Sequence, residues 1–159
     1  MSRNTFFNYF PAKSDLLWVD VDEGLAQLPA ALDAAAVQTD VMEAVRLAML
    51  DLACGFGPAQ VPWALTQAEL MHTTGELEAS ALSRFARAAA MLTTFVARRT
   101  GRNPRDLLCR SFAMAVLAAT AAAAIDWAQA GVQRGTLAPY VDIAVSPVCN
   151  GYRASFSFG

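Results

Sequence analysis

The feature that most constrains the fold is an uninterrupted run without charge, Ser111 to Ile125, bounded by Arg110 and Asp126 and built mainly of alanine with Thr120. Alanine is the best helix former because it loses no side-chain entropy in a helix, so this run reads as the middle of one long helix. It falls short of the roughly 18 to 20 apolar residues that a bilayer crossing requires, and it is therefore read as a helix buried in protein, with no membrane partner. Ala113, Ala115, Ala118, Ala119 and Ala121 to Ala124 make this helix nearly smooth, which lets another helix backbone approach closely. Two readings follow: a helix central to one subunit, or a helix packed across the twofold axis of a homodimer through Ala115, Ala118, Ala119 and Ala122.

Alanine makes up about a fifth of the 159 residues, and almost nothing alternates with period two for long enough to be a strand. The expected fold class is all-α. Punctuation divides the chain into about seven helical segments. The first is Ser2 to Tyr9, stopped by Pro11, and the second opens at Ser14 and runs to about Leu28, where Pro29 predicts a break. Asp40 with Glu43 has capping-box spacing and starts a helix that continues to Cys54, before Gly55-Phe56-Gly57-Pro58. A fourth piece covers Pro62 to Met71. A fifth runs from Thr73 and Glu76 to Arg99 with Gly101 as its stop. Asn103 as N-cap and Pro104 at the first helical position predict the start of the alanine-rich helix, and Gly131 its end. Thr136 is expected to cap a last helix, Leu137 to Val145, with Pro147 and an irregular, mobile tail from Cys149 onward.

Charge excludes some functions. The 12 Lys+Arg against 14 Asp+Glu give a net charge of −2, so no overall basic field drives nucleic-acid binding, and any DNA contact must be local. Cys54, Cys109 and Cys149 are far apart and odd in number, which argues against a disulfide framework or a metal site and fits a reducing, cytoplasmic setting. No cofactor is implied. A helical enzyme using His72 with Glu69 or Glu76 would need a base oriented by a second group. The sequence holds one histidine and no HExxH, GxSxG or P-loop pattern, so no catalytic residue is assigned.

The N-terminal segment is the most informative. Thr5-Phe6-Phe7-Asn8-Tyr9-Phe10 places four aromatics in five positions of one short helix. Phe6 and Phe10 share a face by i, i+4 spacing and suit a core. Thr5, Asn8 and Tyr9, beside Arg3 and Asn4, offer side chains that meet phosphate oxygens and base edges, and Lys13 follows in the turn. The run Ser2 to Leu16 closely resembles the recognition helix, turn and start of the fourth helix of TetR-type transcriptional regulators. The resemblance implies a remnant of a helix-turn-helix domain over 1–28 and a ligand-binding and dimerisation bundle over 29–159. It implies operator contacts from Arg3, Asn4, Thr5, Asn8, Tyr9 and Lys13. Two further helices, about 35 to 45 residues by usual helix lengths, would precede this point in such a regulator. Either Met1 is an internal codon taken as a start or the chain was trimmed, and in both cases this chain is expected to bind DNA poorly.

The resemblance also implies a repressor whose DNA binding is relieved by a small hydrophobic effector. Candidate pocket residues are Met49, Phe56, Trp63, Met71, His72, Phe85, Met91, Phe95 and Trp127, with Gln67 and Glu69 as further polar candidates; Met and aromatic side chains suit adaptable apolar pockets. Asp15-Leu16-Leu17-Trp18 with Asp20 and Asp22 is similar to the branch found beside mycofactocin-type genes, with acyl-CoA-like ligands. Arg84, Arg87 or Arg110 would then meet the anionic head. The rival is a helical dimerisation module without a ligand.

Overall fold

The computed structural model describes residues 13–66 and 74–157, and among them there are six α-helices and no strand. After a 3-10 turn, Lys13–Trp18, come α1 (Val19–Asp33), α2 (Val41–Cys54), the short α3 (Trp63–Thr66), α4 (Thr74–Thr100), α5 (Leu107–Gln129) and α6 (Ala138–Ser157). The expected first helix, Ser2 to Tyr9, lies outside the described residues, as does the latter part of the fourth piece, beyond Thr66.

α5 packs most extensively on α6 and then on α4; α2 lies against α6 and α1, while α1 also touches α4. The core these contacts enclose is continuous, from Leu28 and Leu32 through Met42, Val45, Leu92 and Val96 to Phe112, Val116, Trp127, Val141 and Val145. The two glycine stops are where local chemistry requires them: Gly101 and Gly131 both have φ of 68°, a left-handed conformation that costs a Cβ-bearing residue and suits glycine. At the first, Arg102 N–H donates to the Ala97 carbonyl at 2.9 Å, closing the last turn of α4. Asp40 caps α2 by accepting from the amides of Met42 and Glu43, both at 3.1 Å. Glu43 does not complete the reciprocal half of the box, because its carboxylate is held by Arg46.

Four expectations are corrected. Pro29 does not end a helix, since α1 continues to Asp33. Burial of Leu28 and Leu32 on either side of the proline offsets its missing hydrogen bond. Pro147 likewise lies inside α6, and the tail from Cys149 to Ser157 is helical rather than irregular. Tyr152 and Phe156, one turn apart, set their rings 5.3 and 5.9 Å from that of buried Phe112, which gives the tail a reason to stay helical. The cap of α5 is Asp106, whose carboxylate accepts from Leu108 N–H at 2.7 Å; Asn103 instead accepts from Arg105 N–H in the preceding turn. The alanine-rich helix itself extends past its charge-free run at both ends, as expected, with Arg110 and Asp126 exposed, and begins at Leu107. At 23 residues it is long and apolar enough to cross a membrane by length and composition, and only 33% of its most apolar stretch is buried.

Candidate ligand-binding site

A cavity of about 570 Å³ lies between α1, α2, α4 and α5. α1 contributes Val21, Gly24 and Leu25, α2 gives Met49, Leu52 and Ala53, and α4 gives Ala81, Leu82, Phe85 and Ala88. α5 supplies Leu117, Thr120, Ala121, Ala124 and Trp127. Leu65 of α3 and Phe56 of the loop after α2 complete the apolar wall. The alanines matter here: with side chains of one carbon at 81, 88, 121 and 124, helices α4 and α5 pack yet leave room between them. Leu82, 68% exposed, and Ile125, 46% exposed, mark where this space meets solvent, with Glu78 beside them.

One side of the wall is fixed by a loop-to-loop strap. Leu137 N–H donates to the Phe56 carbonyl at 3.1 Å, and the Trp127 indole N–H donates to the Gly135 carbonyl at 3.0 Å. The Arg134 guanidinium stacks 5.7 Å from the Trp127 ring. Three aromatic or turn residues that line or back the cavity are thereby held by main-chain bonds, which gives the site a preformed shape.

The opposite side is polar behind its apolar surface. Arg84 on α4 donates to both oxygens of Asp22 on α1, at 2.8 and 2.7 Å, and to Asp15 of the 3-10 turn at 3.4 Å. Its remaining donor goes to the carbonyl and hydroxyl of Ser80. Burial works against the Arg84 charge, but hydrogen bonds and charge from Asp22, then from Asp15, outweigh it and hold the pKa above the ordinary value. Arg87 adds a second contact to Asp22 at 3.6 Å. The guanidinium of Arg84 lies 5.1 Å from the Trp18 ring. An arginine already engaged on every donor is a structural tie between the turn, α1 and α4. Arg87 and Arg110, in contrast, are exposed.

Of the residues singled out by sequence, the structure brings Met49, Phe56, Phe85 and Trp127 together in the cavity wall. Met91 and Phe95 line a separate groove of about 350 Å³ between α1 and α4, with Pro29, Leu32, Asp33 and Arg98. Trp63 is 62% exposed and does not line the cavity. Gln67, Glu69, Met71 and His72 lie outside the described residues, as do Arg3, Asn4, Thr5, Asn8 and Tyr9; of Lys13 only its place at the start of the turn is described. Sequence reasoning missed Leu25, Leu52, Leu117 and Trp18, since leucines on amphipathic helices carry no mark distinguishing a cavity wall from core. On α5, Ala118 and Ala122 are exposed, Ala115 and Ala119 half-buried, and Leu107 and Met114 exposed; on α6, Ile143 is 78% exposed.

Residues 39–153, which hold α2 to most of α6 and the greater part of the cavity wall, match the TetR-type family described as the MftR C-terminal domain. This chain belongs to the TetR-type regulators, in their MftR branch. A relative of that branch, the putative mycofactocin biosynthesis transcriptional regulator MftR of Mycobacterium tuberculosis (strain ATCC 25618 / H37Rv), is 27% identical over 127 residues. The alignment covers 80% of this chain and 64% of the relative, so the chain spans a little under two thirds of that protein's length. Among the described residues, the cavity wall carries no nucleophile paired with a base.

Proposed function

We propose that this chain is the effector-sensing and dimer-forming part of a ligand-responsive transcriptional repressor, and that its effector is an elongated apolar molecule of acyl-CoA type held between α1, α2, α4 and α5. One observation carries the reading: a solvent-facing cavity of about 570 Å³ with an almost wholly apolar wall. A concave apolar space of this volume is within the usual range of ligand pockets. An acyl chain suits the wall, and an anionic head would remain in solvent at the mouth beside Leu82 and Ile125. Operator contacts belong to Arg3, Asn4, Thr5, Asn8, Tyr9 and Lys13.

The exposed side of α5, with Met114, Ala118, Ala122 and Ile125, together with Ile143 of α6, is the proposed dimer face. It is apolar over a length that a soluble single subunit would not leave in water. Binding and dimerisation are tested together. A long-chain acyl-CoA should raise the melting temperature of the chain, and multi-angle light scattering at micromolar concentration should give twice the mass of one chain. No thermal shift with any chain length would overturn the effector, and a strict monomer would overturn the dimer face.

A further inference from the structure

The cavity mouth lacks a cation that is free to act. Glu78 and Arg84 are the charged side chains among the described residues that line the cavity, and Arg84 is engaged by Asp22, Asp15 and Ser80. One chain alone therefore offers an anionic head only the repulsion of Glu78, which is exposed. Arg87 contacts Asp22 and does not line the cavity. Arg110 is exposed and has no ion pair or side-chain hydrogen bond among the described residues, but at 1.5 Å per residue it stands about 22 Å along α5 from Ile125 at the mouth.

The position of Arg110 around α5 gives it a use. At about 100° per residue, Arg110, Met114, Ala118, Ala121 and Ile125 fall within about 80° of one another, and all are exposed. Ala121 and Ile125 also line the cavity, with Leu117, Ala124 and Thr120 further round on the same side, so this stripe borders the mouth along one edge, and Arg110 lies on that edge. Ala118 is the midpoint of α5, Leu107–Gln129, and its small side chain lets a second helix approach closely. TetR-type regulators act as dimers. A parallel pair of α5 helices would align their dipoles and set Arg110 beside Arg110 and Asp126 beside Asp126. An antiparallel pair about a twofold axis at Ala118 opposes the dipoles and sets Arg110 at the level of Asp126. That axis carries the cavity-side edge of one stripe onto the cavity-side edge of the other. Arg110 of the partner subunit then arrives one residue past Ile125, on the side of the mouth, while Asp126 lies about 100° round the helix from Ile125, on the far edge.

We infer that the effector site is completed by a second copy of the chain: Arg110 of the partner subunit is the cation that meets the anionic head of the effector, whose apolar chain lies in the cavity of the first subunit. The dimer thus selects an acyl compound with an anionic head over a neutral one of the same chain length. The inference rests on the readings of the cavity as the effector site and of α5 as the dimer face, and it adds the residue and the subunit that recognise the head.

The test uses two probes with one acyl chain, dodecanoyl-CoA, which is anionic, and methyl dodecanoate, which is neutral, titrated into the whole chain as wild type and as Arg110→Gln. Arg110 is exposed, so the substitution leaves the core untouched. It should weaken dodecanoyl-CoA binding about fivefold and leave methyl dodecanoate binding within about twofold. Mixing Arg110→Gln with Ala124→Phe, whose ring fills its own cavity while its Arg110 is intact, should restore the wild-type affinity for dodecanoyl-CoA in the mixed dimer. Dilution of wild type to monomer should lower that affinity to the Arg110→Gln value. Equal effects of the substitution on both probes, or a selective effect that mixing and dilution leave unchanged, overturn the inference while leaving the cavity and dimer readings intact. Wild type that binds neither probe overturns the cavity reading and the inference with it, and a strict monomer overturns the dimer face and the inference with it.

Discussion

The tie between α4 and α1 makes an asymmetric prediction. Arg84 is 10% exposed at its side chain, whereas Asp22 is 39% exposed and has a second cation, Arg87, at 3.6 Å. Removing the arginine, as in Arg84→Met, leaves Asp22 able to draw in Arg87 and keep much of its hydration. Removing the carboxylate charge, as in Asp22→Asn, leaves a buried guanidinium with Asp15 at 3.4 Å as its remaining charged partner. Orphaning a fully buried charge costs about 3 to 5 kcal/mol; partial exposure of the carboxylate and the presence of Asp15 reduce this to about 2 kcal/mol for Asp22→Asn. Arg84→Met should cost about 1 kcal/mol, since its apolar stem stays in an apolar wall. For a chain of this size these become about 4 to 8 °C and 2 to 4 °C in melting temperature. The double variant should resemble Arg84→Met alone, giving a coupling of about 2 kcal/mol, well outside the roughly 0.5 kcal/mol scatter of independent sites. Urea unfolding followed by far-UV circular dichroism measures all three. Arg84→Met costing as much as Asp22→Asn, or strictly additive effects, would refute the claim that this pair is a buried tie.

Three further outcomes follow from the packing. Phe112→Ala removes a fully buried ring that touches both Tyr152 and Phe156, so it should cost about 3 to 5 kcal/mol and raise the protease sensitivity of the chain after Val148; an intact tail in that variant would show that something else holds it. Arg46 joins α2 to α6 through Asp142 and also pairs with Glu43 one turn back on its own helix. The pKa of Glu43 is lowered from 4.5 first by its hydrogen bond from Arg46, and that of Asp142 from 3.8 first by Ser146 and then by Arg46. Depressed carboxylate pKa values stabilise the fold above their ordinary values and lose that contribution as pH falls through the folded-state values. The stability gap between wild type and Arg46→Met should therefore be full above about pH 5 and close below 3.8; a gap independent of pH would contradict the pairing. Of the three thiols, exposed Cys54 should react at once with a disulfide reagent, and Cys109 and Cys149, both buried, only on unfolding. Burial pushes the Cys149 thiol up to about 11, and rapid labelling of all three in the native chain would contradict the α5–α6 packing.

What the sequence made legible was local. The glycines at 101 and 131, the aspartate cap at 40 and the alanine-rich helix each act within a few residues, and each is where spacing put it. What it did not reveal depends on distant partners. Pro29 and Pro147 look like stops, but Leu28 and Leu32 in one case and the Phe112 cluster in the other hold the helix through them. Asn103-Pro104 has the form of a helix start, and Asp106 takes that role because Asn103 spends its side chain on the turn. The pocket residues divide for a similar reason. Phe85, Met91 and Phe95 all lie on α4, yet Phe85 faces the cavity beside α5 and the other two face the groove beside α1. Periodicity gives the faces of a helix and not which neighbour each face will meet.

Those two faces also provide the most direct test of the effector site. Met49 lines the cavity, Met91 lines the groove, and Met42 is sealed in the core. With carbon-13 on the methionine methyls, a titration with a long-chain acyl-CoA should shift the Met49 resonance and give it nuclear Overhauser contacts to the acyl chain, leaving Met91 unmoved. Acyl contacts at Met91 with Met49 unchanged, or no change at either methyl at saturating ligand, would contradict the assignment of the effector to the space between α1, α2, α4 and α5.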